Sequence, residues 1–255
     1  MVTWDPAQYR RFGSERDRPF VDLLGQIGAT SPRRVVDLGC GTGHLTALLR
    51  ERWPDATVEG IDSSAEMIAD AASVAGVSFR VASIESWRAE PDTDVVISNA
   101  ALQWVPTHRA LVRSWADALP SGAWLAWQVP GNFDQPSHAL MRALAGSPRW
   151  SSRLSEVLRH EDPVDSPAGY ASLLLDAGFG VSAWETTYLH LLPGADPVLD
   201  WVRGTGLRPI LDTLSSDEGD GFCAEFAARL REAYPSGPHG TLFPFRRIFC
   251  VGRKP

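Results

Sequence analysis

Val35-Val36-Asp37-Leu38-Gly39-Cys40-Gly41-Thr42-Gly43 reads as a buried strand ending in an acid, followed by a glycine loop. The next residues, Leu45-Thr46-Ala47-Leu48-Leu49, open a helix. Strand, tight turn and helix in one unit predict a parallel α/β sheet with its ligand at the turn. The glycine spacing narrows the ligand. A dinucleotide site uses G-x-G-x-x-G, whose third glycine lets helix and strand pack closely around a pyrophosphate. Here that position is His44, too bulky for the role, so a nicotinamide dehydrogenase is disfavoured. The G-x-G-x-G form suits a ligand without phosphate. Its carboxylate would meet backbone N–H groups at the helix start, and its ammonium an acid such as Asp37.

Thr57-Val58-Glu59-Gly60-Ile61-Asp62 predicts a second strand ending in an acid, nineteen residues after Gly43. A carboxylate there can accept from both hydroxyls of a ribose. The alternative for Asp62 is a helix N-cap, since Ser63, Ser64 and Glu66 follow. Strand, D-x-G-x-G-x-G, helix, strand and acid together are the pattern of S-adenosylmethionine (SAM) binding. On that reading Asp37, Gly39, Gly41, Gly43, Asp62 and Ser63 surround the cofactor, and Met67 lies near the adenine. Ser83-Ile84, after the third strand, stand where many SAM enzymes carry an acid for the adenine amino group; a serine there leaves backbone to make the contact. Asn99-Ala100-Ala101-Leu102-Gln103-Trp104 follows the fourth strand and faces the transferred methyl. Asn99 and Gln103 offer polar contacts, and Trp104 a wall.

Composition sets bounds on this picture. The chain has 255 residues, 44% of them apolar, enough for one large domain or a core domain with an appended lobe. No apolar run reaches the length of a membrane span, and the first residues lack the basic and apolar regions of a signal peptide. Cys40, Cys223 and Cys250 have no metal-like spacing and fit a reducing cytoplasm. The six histidines are scattered, so no metal is expected. A net charge of −7 disfavours nucleic acid as the main partner. It also means that an anionic substrate must be held by local arginines, because Lys254 is the only lysine.

Candidate strands are 33–37, 57–61, 77–82, 93–98 and 122–129, with helices near 43–52, 64–75 and 107–118. An amphipathic helix within 3–30 is stopped by Gly28. Residues 130–165 lack strand alternation. A helix at 166–177 leads into a strand at 180–190, then helices within 195–240, including 217–233, and a last strand at 243–252. The second half is rich in arginine and aromatic residues. On that last strand, neighbours point to opposite faces, so Arg246 and Arg247 cannot both enter one pocket. Parity alone leaves open which one does.

These residues resemble the trans-aconitate methyltransferases, bacterial SAM-dependent enzymes. The resemblance spans nearly the whole chain. It includes Trp4, Pro6, Tyr9, Phe12, Glu15-Arg16 and Arg18-Pro19; Asp37 to Gly41; Gly60 to Ser64; Asn99-Ala100 with Leu102-Gln103-Trp104. It continues through Thr186-Thr187-Tyr188, His190, Trp201-Val202 and Thr205 to Pro209. Ser83, where relatives often have Asp, is one departure. The resemblance implies an α/β class I methyltransferase fold: a Rossmann-like seven-stranded sheet with an antiparallel last strand and a helical lid. It implies a single domain over 1–255, with the lid drawn from roughly 1–20, 130–165 and 195–240. It implies a cytoplasmic, SAM-dependent carboxyl O-methyltransferase that makes a monomethyl ester of trans-aconitate. The family matches Arg247 and not Arg246. Gln103, Trp104, Tyr188, Trp201, Arg208 and Arg247 are then the substrate residues, with the two arginines clamping carboxylates and the aromatic rings excluding water. An ionised carboxylate needs no general base. The alternatives are a SAM enzyme acting on another small-molecule or thioester carboxyl, and a non-catalytic SAM-binding regulatory module.

Overall fold

The computed structural model describes residues 13–158, 161 and 163–255. The expected lid segment before residue 13, with Trp4, Pro6, Tyr9 and Phe12, lies outside the described residues. The elements are α1 (Gly13–Gly25), β1 (Arg34–Leu38), α2 (Thr46–Arg52), β2 (Thr57–Asp62), α3 (Ala65–Ala71), β3 (Ser78–Val81), β4 (Thr93–Asn99), α4 (His108–Ala118) and β5 (Trp124–Pro130). They continue with α5 (Pro136–Ala145), α6 (Ser151–Leu154), α7 (Pro167–Leu175), β6 (Gly180–Leu192), α8 (Pro197–Arg203), α9 (Arg208–Thr213), α10 (Ser216–Ala233), β7 (Ser236–Gly237) and β8 (Gly240–Arg253). Single 3₁₀ turns occupy Ile84–Ser86 and Leu102–Trp104.

The sheet order is β3-β2-β1-β4-β5-β8-β6, seven strands, with the two-residue β7 paired to β8 as an eighth. The pairs β1–β2, β1–β4, β2–β3 and β4–β5 are parallel. β8 lies antiparallel to β5, as expected of the last strand. The order reverses between β1 and β4, the place where open α/β sheets hold ligands at their carboxyl ends.

Two compact units divide the described chain. The sheet unit comprises Gly13–Pro130, Val164–Thr186 and Arg247–Pro255; the helical unit comprises Gly131–Pro163 and Thr187–Arg246. In the sheet unit, the alternate residues Leu125, Trp127 and Val129 of β5 bury against Trp115 of α4 and Tyr170 and Leu174 of α7. Ser64 caps α3, and Ser166 caps α7 ahead of Pro167 at the first helical position, where a missing N–H costs nothing. In the helical unit, Phe222, Phe226 and Leu230 follow a helical period along α10 and pack on Trp201, Ile210 and Phe243. Ser215 and Glu218 form a capping box that starts α10.

Several boundaries differ from the sequence expectation. α1 ends at Gly25 rather than at Gly28. α2 begins at Thr46, not 43, because the glycine loop uses positive φ through Gly43 and no helix can start there. α3 ends at Ala71 rather than 75. β8 starts at Gly240, three residues earlier than expected, through its hairpin with β7.

Candidate active site

The glycine loop is shaped by what surrounds each glycine. Gly39, Gly41 and Gly43 all adopt positive φ (83°, 56° and 74°). A Cβ on Gly39 would lie 2.3 Å from Cβ of Ala101, so the cofactor loop and the loop after β4 interlock there. A Cβ on Gly43 would lie 2.6 Å from the Phe79 ring. Gly41 differs: a Cβ would meet nothing within 4 Å, so only its backbone conformation asks for glycine.

The N–H groups of the glycine loop itself are engaged within the protein. Gly39 and Cys40 N–H both donate to Ile61 O (2.8 and 3.1 Å), and Gly43 N–H to Cys40 O (3.1 Å). Gly41 N–H donates to Asp62 Oδ2 at 2.9 Å. These bonds hold the loop's shape against β2 and are already made within the protein. Asp62 Oδ1 accepts from Ser64 N–H at 2.9 Å. The helix cap is Ser64, whose Oγ accepts from Met67 N–H, so Asp62 is not the N-cap. Its carboxylate instead ties the glycine loop to the start of α3. Each oxygen keeps a further lone pair for a ligand hydroxyl.

Asp37 is buried, and its Oδ2 accepts from Thr46 Oγ1 at 2.7 Å. Burial raises its pKa to about 7, Asp62's negative charge adds to the rise, and the Thr46 bond opposes it. Asn99 Oδ1 is buried without a hydrogen-bond partner among the described residues. Ala100, next to it, holds φ 54°, the one positive φ of a non-glycine residue among those described. Its N–H donates to Gln128 O, and its carbonyl accepts from Gln103 Nε2. Backbone strain of this kind concentrates where a loop is held for function.

These residues share one face of the sheet. Cα partners point the same way, and residues two apart on a strand share a face. Asp37 pairs with Gly60 and with Ile97, Asn99 with Gln128, and Gln128 with Phe249. Asp37, Asp62, Asn99, Gln128 and Arg247 therefore form a polar row at the carboxyl ends of β1, β2, β4 and β5 and along β8. Asp37, Asp62 and Asn99 supply three acceptors. That set fits a ligand that brings donors: an ammonium beside Asp37 and Asn99, and ribose hydroxyls at Asp62. The residues present therefore fit SAM.

Other expected residues fall in varied surroundings. Met67 and Ile84 are buried, Ser63 is exposed, and Ser83 is exposed with its Oγ accepting from Glu85 N–H to cap a 3₁₀ turn. Gln103 is buried and Trp104 is 36% exposed. On β8 the two arginines differ in burial: Thr241, Phe243, Phe245 and Arg247 are buried, and Arg246 is half-buried. Arg247 donates from Nη1 to Gln128 Oε1 at 3.4 Å. Arg246 has its backbone clasped by Asn132, whose Oδ1 accepts the Arg246 N–H and whose Nδ2 donates to Arg246 O, both at 2.9 Å.

In the helical unit, Tyr188 and Trp201 are buried in an aromatic cluster. His190 stacks on Trp201 at 4.8 Å and on Tyr188 at 6.3 Å, and Trp201 also meets Phe243 and Phe245. Arg208 is the first residue of α9, and its Nε is buried with no hydrogen-bond partner among the described residues. A buried guanidinium N–H without an acceptor is costly unless a ligand supplies one. His138 is held neutral: burial pushes its pKa down to about 4, helped by Arg142.

Sequence reasoning missed Thr46 and Gln128 as site residues, and named Ser64 only beside the helix start. Thr46 had no signal beyond an ordinary helix start. Gln128 had one: it is the polar residue inside the apolar run Trp124-Leu125-Ala126-Trp127-Gln128-Val129.

A methyltransferase-domain family matches residues 9–182. A trans-aconitate 2-methyltransferase of Rhodococcus jostii is 56% identical over 252 residues, covering 98% of this chain and 99% of that protein. The chain belongs to the trans-aconitate 2-methyltransferase family. A second such protein, from Streptomyces avermitilis, is 50% identical over 261 residues, 99% of this chain and 97% of its own length. Among solved structures, the YcgJ protein of Bacillus subtilis superposes with a TM-score of 0.60 at 16% identity, covering 93% of this chain and 98% of that one. At that identity the likeness speaks for the class I methyltransferase fold, which the family shares.

Proposed function

We propose that this chain transfers the methyl group of SAM to a carboxylate oxygen of trans-aconitate, giving a monomethyl ester. Full-length identity of 56% to a relative named for that reaction carries the reading. When bound, SAM supplies a sulfonium methyl already activated for transfer. The chain's own residues bind, orient and keep out water. Asp37, Asp62 and Asn99 accept from the cofactor's donors, with Gly39, Gly41 and Gly43 shaping the loop and Ser63, Met67, Ser83 and Ile84 flanking the adenosine.

Arg208 and Arg247 each bind a carboxylate that does not react, and Gln103, Trp104, Tyr188 and Trp201 complete the acceptor's surroundings. The buried Nε of Arg208 and the buried guanidinium of Arg247 support these roles. Anion and cation combine in the reaction, so a dry site favours it. A carboxylate is ionised at neutral pH. No proton has to be removed, and the neutral His138 is not asked to remove one. We keep the lid at the segments expected from the sequence, roughly 1–20, 130–165 and 195–240, and take the cytoplasm as the site of action, in keeping with three buried free cysteines.

The test is a methyl-transfer assay against a panel of small mono-, di- and tricarboxylates, with mass detection of the product. Turnover confined to trans-aconitate and close tricarboxylates supports the proposal. Turnover on a different carboxylate alone moves the activity to that acceptor, and tight SAM binding with no turnover on any acid favours a regulatory module.

A further inference from the structure

Gln128 is the one member of the polar row that neither the cofactor nor the acceptor has been assigned. It lies on β5 with its side chain fully buried. A buried primary amide has to place two donors and an acceptor. Oε1 accepts from Arg247 Nη1 at 3.4 Å. Nε2 is buried and has no hydrogen-bond partner among the described residues. Leaving such a donor unmade is expensive, and an apolar side chain of the same shape would avoid that cost. The same face of the strand carries Ala126 two residues earlier, and the opposite face is filled by Leu125, Trp127 and Val129.

The position explains the choice. Arg247 pairs with Pro130 across the antiparallel β5–β8 ladder, so Gln128 is its diagonal neighbour on the same face. A glutamate at 128 would hold the guanidinium more strongly, but it would also discharge it. A neutral amide orients the guanidinium without cancelling its charge. The same amide still has an N–H to give.

We propose that Gln128 is a specificity-determining residue of the acceptor site: Oε1 sets the orientation of Arg247, and Nε2–H donates to the acceptor carboxylate that Arg247 binds. This rests on the assignment of Arg247 to the acceptor. It adds a second, uncharged donor to that subsite and a reason for the buried amide. The ligand chemistry is a carboxylate group presented next to a guanidinium and an amide N–H, with the substrate oxygen as acceptor of both.

The experiment compares wild type with Gln128→Met, which keeps the shape and removes both hydrogen bonds, and Gln128→Glu, which keeps the acceptor and cancels the charge. Three quantities are measured: the Kd for SAM, the KM for trans-aconitate, and the Kd for propane-1,2,3-tricarboxylate with S-adenosylhomocysteine present. Gln128→Met should raise KM and the tricarboxylate Kd by about 10-fold, one charged hydrogen bond's worth. Gln128→Glu should raise them by roughly 100-fold or more, since it also places a negative charge beside the incoming carboxylate. SAM affinity should change by less than about 3-fold in both, within the scatter of a remote substitution. Unchanged tricarboxylate binding in a folded Gln128→Met variant would overturn the proposal and leave Gln128 as a core residue holding Arg247 or a water. Equal losses for SAM and tricarboxylate would also overturn it, as a general distortion of the site. If Gln128→Glu does not fold, Gln128→Met decides alone. A wild type that binds the tricarboxylate but does not methylate trans-aconitate removes the proposed reaction and leaves the Gln128 subsite standing; a wild type that binds no tricarboxylate removes both.

Discussion

Replacing Asp62 with alanine tests how the cofactor loop is built. The carboxylate accepts from Gly41 N–H and Ser64 N–H, each at 2.9 Å, so it fastens the glycine loop to the start of α3. A hydrogen bond to a charged group contributes about 1.5–3 kcal/mol, and the lower end applies at this half-buried position. Losing the two internal bonds, with water replacing part of each, should destabilise the fold by about 1–3 kcal/mol. For a chain of this size that is a fall in Tm of about 2–4 °C per kcal/mol. Losing two further bonds to ribose hydroxyls removes about 3 kcal/mol of cofactor affinity, on the order of 100-fold in Kd. Asp62→Asn sharpens the test. Two N–H donors are aimed one at each oxygen, so an amide must turn its own NH2 towards one of them. It should therefore rescue little of the alanine defect. Titration calorimetry with SAM and thermal unfolding read both effects. A folded Asp62→Ala variant with unchanged SAM affinity refutes the reasoning and removes Asp62 from the cofactor site.

The glycines should separate by surroundings. Gly39→Ala, with its Cβ 2.3 Å from that of Ala101, should fail to accumulate as folded protein, whereas Gly41→Ala should fold with about 1 kcal/mol less stability and bind SAM poorly; thermal unfolding and SAM titration on both variants check this. The raised pKa of Asp37, about 7 against its ordinary 3.8, fixes a sign. Its contribution to stability is fully present below the unfolded value and is lost as pH rises through the folded one. An ammonium ligand favours the ionised form, so SAM affinity should rise with pH between ~5.5 and ~7.5, below the range where the ligand's own α-amino group titrates. Asp37→Asn should flatten that rise, and a wild-type affinity independent of pH would contradict it. Meanwhile kcat at saturating SAM and acid should stay level through neutral pH, because His138 is already neutral above its pKa of about 4 and no proton is abstracted. Arg208→Ala and Arg247→Ala should each raise the KM for trans-aconitate by roughly 100-fold or more. Arg246→Ala should be mild, since Asn132 holds its backbone rather than its side chain; steady-state kinetics on the three variants would reverse that assignment if Arg246 proved the most damaging.

Much of the sheet and part of the site were legible because their signals are local. A run of β-branched residues ending in Asp37, followed by glycines two apart, can hardly be anything but strand, turn and helix. Asp62 was legible as the acid that ends the second strand. The element ends were less so: whether residues 43–45 are helix depends on the positive φ of Gly43, beside which the Phe79 ring and Ala71 leave no room for a Cβ. The two arginines on β8 show the limit most clearly. Alternation says that Arg246 and Arg247 face opposite ways, but which face is covered depends on pairing with β5, many residues distant. Gln128 was passed over although it is polar in an apolar strand, because its meaning needs the register that sets it diagonal to Arg247. The engagement of the loop's own N–H groups was not legible: four of them bond to Ile61, Cys40 and Asp62 within the protein.

In the proposed reaction the methyl group goes to a carboxylate oxygen. A methyl ester is cleaved by mild alkali, and an N-, C- or ether-linked methyl is not. The most direct measurement runs the reaction with methyl-labelled SAM and trans-aconitate, isolates the labelled product, treats it with dilute base, and follows the label. All of the label should leave as methanol and the acid should return as trans-aconitate. Label that survives the base, or no label transferred to the acid at all, would contradict the account.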